Sequence, residues 1–499
     1  MHKNHKKIVS LITPPSPFLL DERVFMHIGI LKVASSLESR GYIVEFLDLS
    51  GVENYIDALS DYLSKTKSST FGITASTPQV PFAVKIANKI KLHSPESKTI
   101  LGGPHVTLMH SAKKRESKKG LDKSDRATKD VSMLSDVFDV LVCGDGELTI
   151  FEALEVDSGI IDADDRKSQY FLTNDQFSKL PFPARHLVDI DSYQYSIEGK
   201  KSTSLIAQLG CPFKCSFCSG RNSPFLRKIR QRSEESIIDE MRMLYKDYGF
   251  SGFMFYDDEL NVNKGLISLL NKITDLQDEL GEEFRLRGFV KAELFNDEQA
   301  SAMYRAGFRW LLTGFESGDK RILKNIKKMA TRDDNTRAVE IAKRNNLKVK
   351  ALMSIGHAGE SASTIENTKK WLLEVQPEEF DCTIITTYPG SPYFDDAVRD
   401  NDIYIYTSDL TGDRLYQANI DYLSELDYYK GDPDGGYISY VWTDNLSADE
   451  IVTARDNLEK EVRKKLNIPF NQSRACMKYE HSMGMGNIDI PSFILKRTS

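Results

Sequence analysis

Cys211, Cys215 and Cys218 stand within Gly210-Cys-Pro-Phe-Lys-Cys-Ser-Phe-Cys-Ser219, directly after the apolar run Ser204-Leu-Ile-Ala-Gln-Leu209. Three thiolates at this spacing, on a short loop leaving a strand, can hold three irons of a 4Fe–4S cluster. No fourth cysteine lies nearby, so the fourth iron stays open. An open iron can chelate a substrate and pass it one electron. Zinc fits the pattern worse, because it takes four closed ligands or three plus an activated water. Cys143, Cys382 and Cys476 are remote and isolated, and no histidine lies between Leu187 and Gly356. A disulfide framework fails as well, since three clustered thiols cannot pair off.

The elements that must position this loop follow from apolar periodicity. Residues 7 to about 155 alternate strand-like and helix-like segments. The pattern predicts strands at Ile8–Thr13, Ile43–Leu49, Thr70–Ala75, Lys98–Leu101 and Asp139–Cys143, with helices over Phe25–Ser39, Tyr55–Leu63 and Pro81–Leu92. Such alternation makes a doubly wound parallel sheet with ligands at the carboxyl ends of its strands. From Ser204 to Tyr388 the alternation resumes, with strands expected at 204–209, 252–256, 285–290, 310–313, 348–353 and 380–387. Six such strands predict a partial barrel whose functional groups sit at the strand carboxyl ends. The stretch Ala112–Asp130 is charged and almost free of large apolar residues, which predicts a mobile surface insertion. Beyond about residue 395 the alternation fades, tyrosines crowd the chain, and Asp449–Leu466 reads as a charged helix. Clustered tyrosines point to packing and interfaces.

Composition narrows the classes. The chain has 499 residues, 40% hydrophobic and 28% charged, with a net charge of −7. That length supports two or three domains with their own cores. The acidic balance disfavours a general nucleic-acid footprint. Six cysteines in this length make no disulfide scaffold. No apolar run approaches membrane-spanning length, and the short run after the basic N-terminus is too short for a signal-peptide core. A reducing cytoplasm is the expected compartment.

The C-x3-C-x2-C spacing, with Phe217 before the last cysteine, resembles the signature of the radical S-adenosylmethionine (SAM) superfamily. The first region looks like the cobalamin-binding domain that precedes the radical SAM domain in one large branch of that superfamily. Pro14-Pro-Ser-Pro17, Gly72-Ile-Thr-Ala-Ser-Thr-Pro78, Leu101-Gly-Gly-Pro-His105, Gly144-Asp-Gly-Glu-Leu-Thr149 and Leu180-Pro-Phe-Pro-Ala-Arg185 carry this likeness, which covers roughly residues 7–395. It implies a Rossmann-like cobalamin-binding domain at 1–155, a linker at 156–200, a partial (β/α)6 radical SAM barrel at 201–395 and a small α-rich C-terminal domain at 396–499.

The resemblance also implies roles for particular residues. Cys211, Cys215 and Cys218 would ligate the cluster, with Phe217 beside them. Ser76, Thr77, Gly102, Gly103, His105, Gly144 and Glu147 would face cobalamin. Asp257 and Asp258, with Glu259 as a further candidate, would meet the SAM amino group, while Glu316 would contact the ribose or orient substrate. Ser354 and Gly356 would let the backbone approach the adenine, and Lys291, at the third strand end, would meet the SAM carboxylate or else read as a surface lysine, the reading favoured here. One departure stands out. Leu20-Asp-Glu-Arg-Val-Phe-Met-His-Ile-Gly29 lacks the Asp-x-His-x-x-Gly spacing of histidine-ligated cobalamin domains, so His27 is expected to serve packing or the surface and no histidine to ligate cobalt.

The function so implied is SAM cleavage to a 5′-deoxyadenosyl radical and methylation of an unactivated carbon, or phosphorus, of a small-molecule intermediate. A non-methylating cyclase or rearrangement enzyme of the same architecture is the alternative, and a cobalamin-binding regulator or iron–sulfur electron carrier a third reading. The expected partners are a small-molecule substrate and an electron donor such as flavodoxin or ferredoxin, with neither membrane nor nucleic acid.

Overall fold

The computed structural model describes residues 7–17, 19, 22–120, 125–429 and 436–469; Cys476 and the rest of the 470–499 segment lie outside them. The first sheet has six strands: β1 (Ile8–Thr13), β2 (Ile43–Asp48), β3 (Thr70–Thr74), β4 (Lys98–Gly102), β5 (Val140–Cys143) and β6 (Gly159–Asp162). They run in the order β2-β1-β3-β4-β5-β6, all in parallel. The strand carboxyl ends therefore share one edge, where the loops after β1, β3 and β4 meet. The first five strands fall where the apolar runs predict them. β6 is an addition: its Gly-Ile-Ile-Asp is too short to stand out, and pairing with β5 makes it a strand.

The second sheet holds β7 (Ser196–Ile197), β8 (Lys200–Leu205), β11 (Gly252–Phe255), β12 (Arg285–Phe289), β13 (Phe308–Glu316), β14 (Lys348–Ile355) and β15 (Glu379–Ile384), with β7 as an antiparallel edge. Between β8 and β11 lies a separate two-stranded ribbon, β9 (Gln208–Leu209) and β10 (Arg230–Gln231). The other six strands are parallel, and intervening helices cover them to form the half-barrel. The strand expected at 204–209 is displaced. β8 ends at Leu205 because both Asp257 carboxylate oxygens accept the next backbone donors, Ala207 N–H at 2.8 Å and Gln208 N–H at 3.1 Å. The chain thus leaves the sheet early, and the cysteine loop departs over the barrel mouth.

Two further expectations give way. The charged Ala112–Asp130 stretch is not a loose insertion. Residues 121–124 lie outside the described residues; on either side of them the stretch belongs to two packed helices, Pro104–Lys119 and Arg126–Val137, and the Glu116 carboxylate of the first accepts the Ala127 and Thr128 N–H groups of the second at 2.9 and 2.8 Å. Arg126 lies between the Phe394 and Tyr404 rings, 3.5 and 3.9 Å from their centroids. Ala112 and Ala127 are buried, and the second helix continues its buried stripe through Asp130, Val131 and Leu134, so low apolar content concealed an amphipathic pair. The C-terminal part, expected to be α-rich, is mixed among the described residues. It carries a four-stranded antiparallel sheet, β16 (Val398–Asp400), β17 (Ile403–Thr407), β18 (Arg414–Ala418) and β19 (Val441–Thr443), before one long helix, Ala448–Leu466.

Buried ion pairs fix the segments to one another. Glu240, on the helix Glu234–Tyr248, receives Arg185 at 2.6 Å and Arg232 at 2.5 Å. Arg230 meets Asp145 at 2.6 Å, which joins the barrel to the loop after β5. No helix among the described residues is long and apolar enough to cross a membrane.

Candidate active site

The cysteine loop is pinned from several sides. Cys211 N–H donates to the Leu226 carbonyl at 2.9 Å, Gly210 N–H to the Asp258 carboxylate at 3.0 Å, and Ser216 N–H to the Ile326 carbonyl at 2.8 Å. The Tyr393 N–H donates back to the Ser216 carbonyl at 3.1 Å. Gly210 has φ +94°, and a Cβ there would stand 2.2 Å from the Lys228 carbonyl oxygen; only glycine permits this turn. Phe217 closes the loop against the Ile322, Leu323 and Ile326 cluster and lies edge-on to the His357 ring at 5.3 Å.

The three thiols differ in exposure. Cys215 is buried, Cys211 half-buried and Cys218 exposed. Burial pushes Cys211 and Cys218 up to about 12, with Asp258 adding to both. Burial also raises Cys215, and Lys328 and Lys291 oppose that rise. Thiolates here need a metal to hold them deprotonated. Among the described residues no three His, Cys, Asp or Glu side chains converge as ligands of a single ion would. Three thiols spread over one loop fit the larger cubane.

Around the loop stands a polar wall from the barrel strands. Glu316 ends β13 at a bulge with φ +64°, a strained conformation for a non-glycine residue. Its carboxylate receives Lys328 at 3.1 Å and Ser354 Oγ at 2.8 Å. Ser354 Oγ also pairs with His357 Nε2 at 2.9 Å, and His357 Nδ1 with the Tyr393 hydroxyl at 3.3 Å. Burial lowers His357 to about 4, so the imidazole is neutral. Burial works against the charge on Lys328, but Glu316, Cys215 and Glu259 together raise it above the ordinary lysine value. Asp258 carries accessible surface and Glu259 is half-buried. Burial raises both, Glu259 to about 7, where Lys328 and Lys291 oppose it. These carboxylates beside the cysteines suit an ammonium and vicinal hydroxyls.

Several expected residues do other work. Asp257 is fully buried behind β8, and burial raises it to about 7, so it braces the strand end rather than facing a ligand. Gly356 has φ +89°, a Cβ there would stand 3.2 Å from Val441, and its N–H donates to Glu360. Lys291 is not at the surface. It is 1% exposed, donates to the Lys328 carbonyl at 2.8 Å, and lies 4.5 Å over the Phe213 ring. Lys328 and His357 had no motif to mark them in the sequence. The only hint was their closeness in the chain to Gly314-Phe-Glu-Ser-Gly318 and Ser354-Ile-Gly-His357.

A cavity of about 570 Å³ opens between the two sheets. Ser76, Thr77 and Pro104, from the loops after β3 and β4, line one side; Ser204, Ser219 and Tyr256 of the barrel line the other. Tyr388 and Tyr429 close it. Gly102 leaves open space where a Cβ would be, whereas a Cβ on Gly103 (φ +104°) would stand 2.8 Å from the Ala75 backbone. The walls combine apolar side chains and hydroxyls with Glu22, His27 and Gln79, and the hollow abuts Ser219, the residue after Cys218. A flat, bulky cofactor such as a corrin fits such a cleft. His27 expands the sequence reading: it lines this cavity, and burial lowers its pKa. His105 is buried off the cavity wall, 3.3 Å from Thr77 Oγ1 and against Tyr422. Gly144 and Glu147 are also elsewhere. A Cβ on Gly144 would stand 2.6 Å from the Ala163 backbone, and the buried Glu147 pairs with Lys32 at 3.0 Å.

Comparison with known proteins agrees with this geometry. Residues 205–372 match the radical SAM superfamily, and residues 23–122 match the B12 binding domain. The chain is 25% identical over 411 residues to an uncharacterized methyltransferase of Pyrococcus horikoshii, covering 79% of this chain and 81% of that protein. It is also 25% identical over 380 residues to the anaerobic magnesium-protoporphyrin IX monomethyl ester cyclase of Rubrivivax gelatinosus, covering 72% of this chain and 64% of the cyclase. Among solved structures, the fold resembles that of the radical SAM methyltransferase TsrM from Kitasatospora setae with cobalamin and a 4Fe–4S cluster bound. The TM-score is 0.62 at 16% identity, over 98% of this chain and 93% of that one. The chain is therefore a radical SAM enzyme with a B12-binding domain, and its cofactors are a 4Fe–4S cluster, SAM and cobalamin.

Proposed function

We propose that this enzyme transfers a methyl group to an unactivated carbon, or phosphorus, of a small-molecule intermediate. One observation carries the reading: the cavity at the carboxyl edge of the first sheet continues into the barrel beside Ser219, the neighbour of Cys218. A group carried by a cofactor on one domain can reach a substrate activated on the other only through a shared cavity. When bound, the cluster supplies the electron that cleaves SAM, and cobalamin supplies a methyl carrier.

The protein's own residues do the rest. Cys211, Cys215 and Cys218 leave one iron free of protein ligands. Asp258 and Glu259 offer negative charge for the SAM ammonium, and Glu316, held by Lys328 and Ser354, offers a fixed acceptor for its ribose hydroxyls. Ser76, Thr77 and Gly102 give cobalamin small, close walls. The neutral His357, bonded to Ser354 and Tyr393, orients the wall without adding charge. Tyr388 and Tyr429 shield the cavity from water, which protects reactive species formed there. Free, desolvated thiols that must stay reduced suit the cytoplasm.

The cyclase relative motivates a second outcome in the same site, ring formation without methyl gain. Anaerobic turnover of the reconstituted enzyme with SAM, cobalamin and extracts of the producing cells, followed by mass spectrometry, separates them. Methylation adds one methylene unit per product molecule, and the unit carries label from methyl-labelled SAM. A product lacking that label would overturn the methyl-transfer reading. Replacing all three cysteines by alanine should abolish both 5′-deoxyadenosine and product.

A further inference from the structure

A second hollow, of about 550 Å³, lies outside the barrel on the far side of the cysteine loop. Its floor is apolar, with Leu323, Met329 and Leu410; Met329 is 68% exposed and Leu410 46%. Exposed apolar side chains grouped in a concavity mark a contact surface. Its rim is basic. Lys327 and Arg332 there pair with Asp409 and Glu374. Lys214, Lys320 and Lys324 are exposed, and among the described residues none has an ion pair. Three unneutralised lysines around one hollow stand out in a chain of net charge −7.

The hollow is coupled to the cluster loop by direct contact. Lys214 lies between Cys211 and Cys215. Leu323 of the floor packs against Phe217, the neighbour of Cys218. The segment 326–330 separates the hollow from the barrel interior, and it is held in shape by Lys327 at φ +53° and Met329 at φ +71°. This backbone turns Lys327 and Met329 outward while Lys328 reaches inward to Glu316. The same segment accepts the Ser216 N–H at Ile326. A protein seated in the hollow would therefore be one layer of side chains from the cysteines.

We propose that this lysine-rimmed hollow is the docking site of an acidic flavodoxin-type electron carrier that reduces the cluster. An apolar, flat flavin edge suits the Leu323–Met329–Leu410 floor, and acidic residues around it would meet the three lysines. In the transfer the flavin loses one electron and the oxidised cluster gains it; no bond forms or breaks. The inference holds whether the product is methylated or cyclised, because it concerns the reducing step alone.

Stopped-flow reduction of the cluster, followed by the bleaching of its visible absorption, tests this with a purified bacterial flavodoxin in its hydroquinone form. Charge steering of this kind raises association rates roughly 10- to 10³-fold. The variant K214Q/K320E/K324E should therefore lower the second-order rate at low salt by about 10- to 100-fold and flatten its salt dependence. Reduction by titanium(III) citrate should stay unchanged, as should flavodoxin reduction of K67E/K118E/K246E, which alters three exposed lysines elsewhere. K320E/K324E alone, which leaves the cysteine loop intact, should show a smaller drop of the same kind. An unchanged flavodoxin rate, or an equal loss with the control triple, would overturn the proposal. So would a charge-dependent rate seen with a ferredoxin and absent with flavodoxin, since the occupant would then be wrong. Binding of oxidised flavodoxin, measured by calorimetry, should weaken in parallel.

Discussion

Glu240 offers the sharpest test of how the domains are held. Its carboxylate, 1% exposed, bridges Arg185 of the linker and Arg232 at the entry to its own helix. Arg185 also donates to the Ser204 carbonyl at 2.8 Å and Arg232 to the Ile206 carbonyl at 3.0 Å. The three side chains thus fix the end of β8, from which the cysteine loop departs. Replacing Glu240 by glutamine leaves two buried guanidiniums facing a neutral amide that can accept from only one of them. Breaking a buried ion pair by removing one partner costs about 3–5 kcal/mol, whereas replacing the whole set with apolar side chains is often neutral. E240Q should therefore lower the urea midpoint of the barrel by roughly 1–2 M, for a slope of about 2–3 kcal/mol/M, read from Trp310 and Trp371 emission. R185M/R232M/E240L should recover most of that loss. The pH dependence has a definite sign. Burial would raise Glu240, but the two guanidiniums win and hold it below the usual glutamate value. Its contribution is present above the unfolded glutamate value, about 4.3, and disappears as pH falls through the lower folded one. E240Q should thus lose the acid-side part of the wild-type stability profile. A midpoint within a few tenths of a molar of wild type, or a triple variant as weak as E240Q, would refute the argument that paired charge fixes this junction.

Other outcomes follow from the site. G103A should destabilise the first domain by several degrees in melting temperature, since its Cβ would meet Ala75 backbone at 2.8 Å with φ at +104°. G102A, with open space at that point, should keep the melting temperature and lose cobalamin retention on gel filtration. E316Q and K328M should each weaken SAM binding in equilibrium dialysis by about 10- to 100-fold, the range for losing a charge-assisted hydrogen bond of about 1.5–3 kcal/mol, while the visible spectrum of the cluster persists. Loss of the spectrum in either variant would mean that these residues build the cysteine loop and not the SAM wall.

The sequence alone determined what local spacing can encode. The three cysteines, the alternation that builds two parallel sheets, and the small residues at the ends of β3 and β4 are all short-range patterns, and the first five strands of the first sheet fell where the apolar periodicity placed them, while the strand before the cysteine loop ended four residues early. Charged, apolar-poor stretches misled, because an amphipathic helix such as Arg126–Val137 needs only a narrow buried stripe. What only the tertiary structure decided is which polar groups gather beside the cysteine loop. Asp257 and Asp258 are chain neighbours on opposite sides of a strand end, so one is spent on the Ala207 and Gln208 donors while the other has surface towards the cysteines. Lys328 and His357 join Glu316 and Ser354 only because strands distant in the chain are adjacent in the sheet, and no spacing rule in one dimension contains that adjacency.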